Sequence, residues 1–138
     1  MKIISIYLFL LIFLFLKRIG NQSDIRVPEK LCYFENGKIY GKSRIPLNEY
    51  NKIYYIKADC YSCIEDFLKD QMDLMDIDSL LFIANIPDTT ILNFVAEDIK
   101  PQIRIYLDIY SEFYFENRKF LLEKNVLIQN ERMIYIPQ

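Results

Sequence analysis

The chain has 138 residues, of which 52% are hydrophobic and 26% charged, with 3 Gly and 5 Pro. That balance excludes a collagen-like, mucin-like or mostly disordered chain and fits one compact domain. Histidine is absent, so a Ser-His-Asp triad, a Cys-His dyad and any histidine-bearing zinc site are excluded with it. The formal charge of -2 is unevenly spread: Lys2, Lys17 and Arg18 give residues 1–20 a charge of +3, leaving -5 on residues 21–138. A domain of that sign is a poor partner for a phosphate backbone, and no nucleic-acid-binding signature offsets it.

Residues 3–16 (IISIYLFLLIFLFL) are almost purely apolar, with Lys2 before them and Lys17-Arg18 after. As a helix, fourteen residues rise about 21 Å, short of the roughly 30 Å hydrocarbon core. The length suits a signal peptide. The lack of a small-residue cleavage site and the trailing basic pair suit a short uncleaved anchor with snorkelling ends. A buried core helix is the third reading. Either of the first two implies export, to the periplasm or cell envelope, with residues 1–18 as signal or anchor. Residues 19–30 lack periodicity and read as a linker, so the domain is expected over 31–138.

Residues 31–41 show two short apolar runs around Asn36-Gly37, a pair whose tolerance of positive φ makes it a strong hairpin signal. Lys52–Lys57 (KIYYIK) is β-branched and aromatic, and predicts a strand. Ile64, Phe67, Leu68, Met72 and Met75 fall at helical spacing, opposite a largely acidic face. Leu80–Ala84 (LLFIA) predicts a buried strand. Residues 87–90 carry a helix-start signal, after which Ile91, Phe94, Val95 and Ile99 share a face until Pro101. Ile103–Leu107 predicts a strand ending at Asp108. A short helix over 109–117 would turn Ile109, Phe113 and Tyr110 inward. Val126–Ile128 and Met133–Ile136 predict a closing hairpin. Alternating strands and helices imply an α/β fold whose sheet is mostly parallel and covered on both faces.

One motif carries chemistry: Cys60-Tyr61-Ser62-Cys63. It follows a predicted strand and opens a predicted helix. The first sulfur then lies near unpaired backbone N–H groups and the positive end of the helix dipole, which favours thiolate. The second, one turn on, can attack a mixed disulfide formed at the first. Cys60 is thus the candidate attacking thiol and Cys63 the resolving one. Asp59 opposes a second negative charge beside it, and Lys57 could offset Asp59. A structural zinc site lacks ligands. A structural disulfide in a small ring, or cysteines on a core helix, are the other readings.

The strand, the Cys60-Tyr61-Ser62-Cys63 turn and the element order resemble the thioredoxin-like fold. The closer resemblance is to its periplasmic or membrane-tethered branch with an α-β insertion, here residues 88–107. Asp108, Phe113 and Asn117 resemble a D-x4-F-x3-N pattern of short thioredoxin-like proteins of Bacteroidetes type. The resemblance spans residues 50–136 and implies thiol-disulfide exchange with a protein or small-molecule partner, without organic cofactor or metal. Three positions depart from the family. Glu123-Lys124-Asn125 stands where a cis-proline precedes the strand Val126–Ile128. Tyr54 stands where a buried acid assists proton transfer. No closing helix follows the last strand, which predicts a less covered sheet face. These departures favour the alternative of a redox-inactive thioredoxin-like module for protein interaction at the membrane.

Other residues have plainer readings. Cys32 is an odd cysteine, read as a small buried apolar residue, with a free thiol in the hairpin or pairing with another chain as the other readings. The aromatic cluster Tyr106, Tyr110, Phe113, Tyr114 and Phe115 reads as packing around a short helix, or as a groove. The carboxylates Asp66, Asp70, Asp73, Asp76 and Asp78 read as a solvated face, without the glycine of a calcium loop.

Overall fold

A computed structural model describes residues 24–57, 77–95, 103–123 and 125–138, together with Tyr7, Leu11, Ile12, Ser62, Ile64 and Glu65. The strands are β1 (Ile25–Val27), β2 (Lys30–Glu35), β3 (Lys38–Arg44), β4 (Lys52–Lys57), β5 (Leu80–Asn85), β6 (Ile105–Leu107), β7 (Asn125–Gln129) and β8 (Met133–Tyr135). Two five-residue helices are described, α1 (Ile91–Val95) and α2 (Glu112–Glu116). The main sheet has the order β3-β2-β6-β5-β4-β7, and β1 and β8 form a separate two-stranded ribbon.

The main sheet is mixed. β4, β5 and β6 run parallel, while β2 is antiparallel to β6 and to β3, and β7 is antiparallel to β4. Two of the five pairings are therefore parallel, fewer than the alternating pattern predicts. The N-terminal hairpin joins the main sheet beside β6, so antiparallel strands flank both sides of the parallel core. That hairpin turns at Asn36 and Gly37, with φ of 50° and 74°. Two consecutive positive φ values match the right-handed twist of the flanking strands. β3 carries an irregularity opposite Leu31–Tyr33, spanning Gly41 and Lys42.

The middle strands have apolar side chains on both faces because both faces are covered. On one face Tyr54, Ile56, Phe82, Ala84, Ile105 and Leu107 pack with Ile64 and Leu92. On the other, Ile53, Tyr55, Leu81, Ile83 and Tyr106 pack with Ile25, Val27, Ile45, Phe113 and Leu121. Among the described residues this second face is closed by β1 and the α2 region, where a less covered sheet face was expected.

Several expectations are corrected here. Ile25–Val27, inside the stretch read as linker, is a strand whose Ile25 and Val27 are fully buried. β8 does not return against β7 as a hairpin. It pairs in parallel with β1, through Ile25↔Met133, Arg26↔Ile134 and Val27↔Tyr135. In α1 it is Leu92 that is buried, while Phe94 is 73% exposed. In the segment leading into α2, Phe113 turns inward, but Ile109 and Tyr110 are exposed. A five-residue helix makes barely more than one turn, too short for periodicity to fix its buried side.

The helix predicted over 61–75 is described at Ser62, Ile64 and Glu65, which are helical. Phe67, Leu68, Met72, Met75 and Asp66–Asp76 lie outside the described residues, as do Ile99 and Pro101. Tyr7, Leu11 and Ile12 are helical and exposed. Among the described residues, no helix is long and apolar enough to cross a membrane.

Candidate redox site

Cys60 and Cys63 lie outside the described residues, so the frame around them is what the structure supplies. β4 ends at Lys57, three positions before Cys60, and runs between parallel β5 and antiparallel β7. After the motif's first residues the chain is helical at Ser62 and Ile64. Ile64 is 2% exposed and packs with Tyr54, Ile56 and Leu92. The helical turn is thereby anchored to one named face of the sheet, at the carboxyl ends of the parallel strands, where open α/β sheets place their ligand crevice.

Lys57 belongs to the opposite face. Its Nζ lies 4.6 Å from the centroid of the Tyr114 ring, and Tyr114 in turn stacks on Tyr55 at 6.3 Å. Lys57 is thus directed to an aromatic face on the α2 side, away from the side that Ile64 packs on.

Tyr54, at the position where the resemblance leads one to expect a buried acid, is 4% exposed. Burial pushes its hydroxyl pKa above the ordinary value. A phenol shifted upward is neutral throughout the physiological range and is no base there. Asn125 pairs with Ile56 at the start of β7. Its Oδ1 is buried without a hydrogen-bond partner among the described residues. Among the described residues no cis peptide occurs.

The carboxyl ends of β5 and β6 carry a polar network that stabilises the rim. Asp108 is fully buried. Its Oδ1 accepts the Phe113 N–H and its Oδ2 the Tyr114 N–H, each at 3.1 Å. Those are unpaired donors of the first turn of α2, which a carboxylate is suited to satisfy. Burial nevertheless raises the Asp108 pKa, against the pull of these backbone donors. Asn85 donates to the Asp108 backbone carbonyl at 2.9 Å and to Ser111 Oγ at 2.8 Å. Ser111 sits in the left-handed region at φ 59°.

Asn117 completes the pattern. Its Oδ1 accepts the Arg26 N–H at 2.9 Å, and its Nδ2 donates to the carbonyls of Arg26 at 2.7 Å and Phe113 at 2.8 Å. Asp108 therefore starts α2, Phe113 roots it in the core, and Asn117 clamps β1 to its end. The D-x4-F-x3-N spacing is explained by this folding role, and none of the three side chains is left facing a substrate. Asn85 is the member that no sequence signal marked: an Asn ending an apolar strand looks like any turn residue.

Cys32 is a half-buried free thiol on β2, opposite Leu107 of β6. The aromatic cluster divides. Tyr106 and Phe113 are fully buried, Tyr114 is half-buried, and Tyr110 and Phe115 are exposed at 82% and 59%. Of the acidic run only Asp78 is described, and it is exposed. Among the described residues, no three His, Cys, Asp or Glu side chains gather as a metal would require.

No protein-family model, curated protein or solved structure matches this chain.

Proposed function

We propose that the chain is an exported, membrane-tethered thiol-disulfide exchange domain of thioredoxin-like type, with Cys60 attacking and Cys63 resolving. The observation that carries this reading is where the motif falls. Cys60 follows the strand that ends between a parallel and an antiparallel neighbour, and Ile64, one residue after Cys63, is helical and buried in the core. A thiol at the start of a helix gains thiolate character from the helix dipole and the unpaired N–H groups there. Parallel β4-β5-β6 with β7 antiparallel against β4 also supports the resemblance.

In the reaction, the Cys60 thiolate attacks one sulfur of a substrate disulfide. The substrate S–S bond breaks, a mixed disulfide forms, and one substrate thiolate leaves and takes up a proton. The Cys63 thiolate then attacks the Cys60 sulfur and releases the second thiolate. The substrate gains two electrons and the Cys60–Cys63 pair loses two. No organic cofactor enters. The partner is a protein or small-molecule disulfide, or, in reverse, a dithiol. Residues 3–16 supply the membrane contact.

A specific observation favours the second reading, a redox-inactive interaction module. With Tyr54 neutral and buried, the domain has no acid at the family's proton-transfer position. The two readings separate by exchange with a model disulfide. The first predicts turnover that is lost in Cys60→Ser and stalls as a trapped mixed disulfide in Cys63→Ser. Equal, background rates in all three proteins would leave the interaction module.

A further inference from the structure

The turn between β2 and β3 holds a reactive pair. Asn36 is the only asparagine of the chain followed by glycine. Both residues are exposed and have positive φ, 50° at Asn36 and 74° at Gly37. The ladder resumes at the Glu35–Lys38 pair, so neither residue belongs to it. Among the described residues no hydrogen bond holds the Gly37 N–H or the Asn36 side-chain amide. Gly37 has no side chain to shield its nitrogen. β3 is exposed along almost its whole length, and among the described residues it pairs with β2 alone. The end of such a hairpin opens locally at small cost, which lets the Asn36 carboxamide swing over the Gly37 nitrogen.

We infer that Asn36 is a site of spontaneous, non-enzymatic modification. The Gly37 backbone nitrogen attacks Asn36 Cγ. A new N–C bond forms, the Cγ–Nδ2 bond breaks, and ammonia leaves with the proton of the Gly37 nitrogen. The cyclic imide that results takes up one water. Opening at one carbonyl gives aspartate at position 36. Opening at the other gives its β-linked isomer, in which the main chain runs through the former side chain. The net change converts one amide and one water into one carboxylate and one ammonium, with no oxidation or reduction. The hairpin tolerates the two products differently. Aspartate, like asparagine, accepts the left-handed region, so the first product keeps the turn. The β-linked product adds a carbon to the main chain of a two-residue loop, and loop length fixes the register of the flanking strands. Glu35 and Lys38 then lose their pairing, and the Tyr33–Tyr40 stack at 4.9 Å, which spans the same two strands, loosens with it. Asn130 is an internal control. It too is exposed with a positive φ, 65°, but Glu131 follows it, and a side chain there obstructs the attack.

This inference does not rest on the dithiol chemistry. The test is storage of the full-length chain in detergent at neutral and mildly alkaline pH, with peptide mass spectrometry of samples taken over time. The expected result is conversion at Asn36 at least tenfold faster than at Asn130, and faster at the higher pH. Enzymatic methylation of the β-linked isomer then measures its share. In chains that carry that isomer, amide exchange should rise at Lys38 and Tyr40 and stay unchanged in β4 and β5. An Asn36 amide that survives in the folded chain, while a free peptide of residues 31–41 converts, would show that the hairpin protects it and would overturn the proposal. Equal rates at Asn36 and Asn130 would overturn it as well, since the pair would then have no reactivity of its own. Unchanged exchange at Lys38 and Tyr40 would overturn the loss of register.

Discussion

Asp108 shows how one residue can cap a helix and resist ionisation at once. Its two oxygens satisfy two donors of α2, yet burial raises its pKa above that of a free carboxyl. The sign of the pH effect follows. A raised folded-state pKa contributes stability that is fully present below the ordinary carboxylate value of about 3.9, and that is lost as pH rises through the folded value. Asp108→Asn removes this dependence. It also costs about 1–3 kcal/mol at neutral pH, because an amide offers one acceptor where two N–H groups need one each. Urea midpoints of the two proteins between about pH 4 and pH 7 check both effects. Asp88 runs the other way. The Thr90 hydroxyl and N–H, at 2.6 Å and 3.0 Å, hold its carboxylate below the ordinary range. Whatever stability that pair gives is lost as pH falls through the lowered value.

At the scale of elements, the ribbon of β1 and β8 depends on Asn117. Three hydrogen bonds from one side chain hold Arg26 and the end of α2. Asn117→Ala should destabilise the fold by about 1–3 kcal/mol and raise amide exchange at Arg26 well before exchange in β4 or β5; equal rises everywhere would show that β1 has no separate hold. In the hairpin, Gly37 and Gly41 separate by backbone. Gly37 has φ 74°, so Gly37→Ala costs about 1–2 kcal/mol. Gly41 lacks a positive φ, and an added Cβ there meets nothing within 4 Å. Gly41→Ala should therefore be neutral or stabilising by about 0.5–1 kcal/mol. Thermal melts of the two variants should move in opposite directions, or only Gly37→Ala should move.

The strands that lie in the middle of the sheet were legible because burial on both faces demands continuous apolar runs, as in KIYYIK and LLFIA. The hairpin was legible because Asn-Gly has a conformational reason to turn. The short helices were not: one turn gives Leu92 and Phe94 equal claims on the core. The β1–β8 pairing was not either, since three residues paired over a sequence separation above one hundred leave no local pattern. Of the candidate site, the motif and its place between strand and helix were readable. The aim of Lys57 was not, because a cation on Tyr114 is a tertiary contact across 57 positions.

For the whole molecule, Ile64 links the core to the dithiol, because it is the described residue that ties the motif's helix to the sheet. Ile64→Ala should cost about 2–5 kcal/mol through the cavity it leaves, and, on the proposed redox function, it should also return Cys60 toward the behaviour of free cysteine. The most direct test of the account is the rate of alkylation of the full-length chain across pH, in wild type and Cys60→Ser. The account predicts one thiol that reacts at a pH well below that of free cysteine, near 8.5, with that reactivity absent from Cys60→Ser. Thiols that all titrate like free cysteine, or that react only after unfolding, would contradict it.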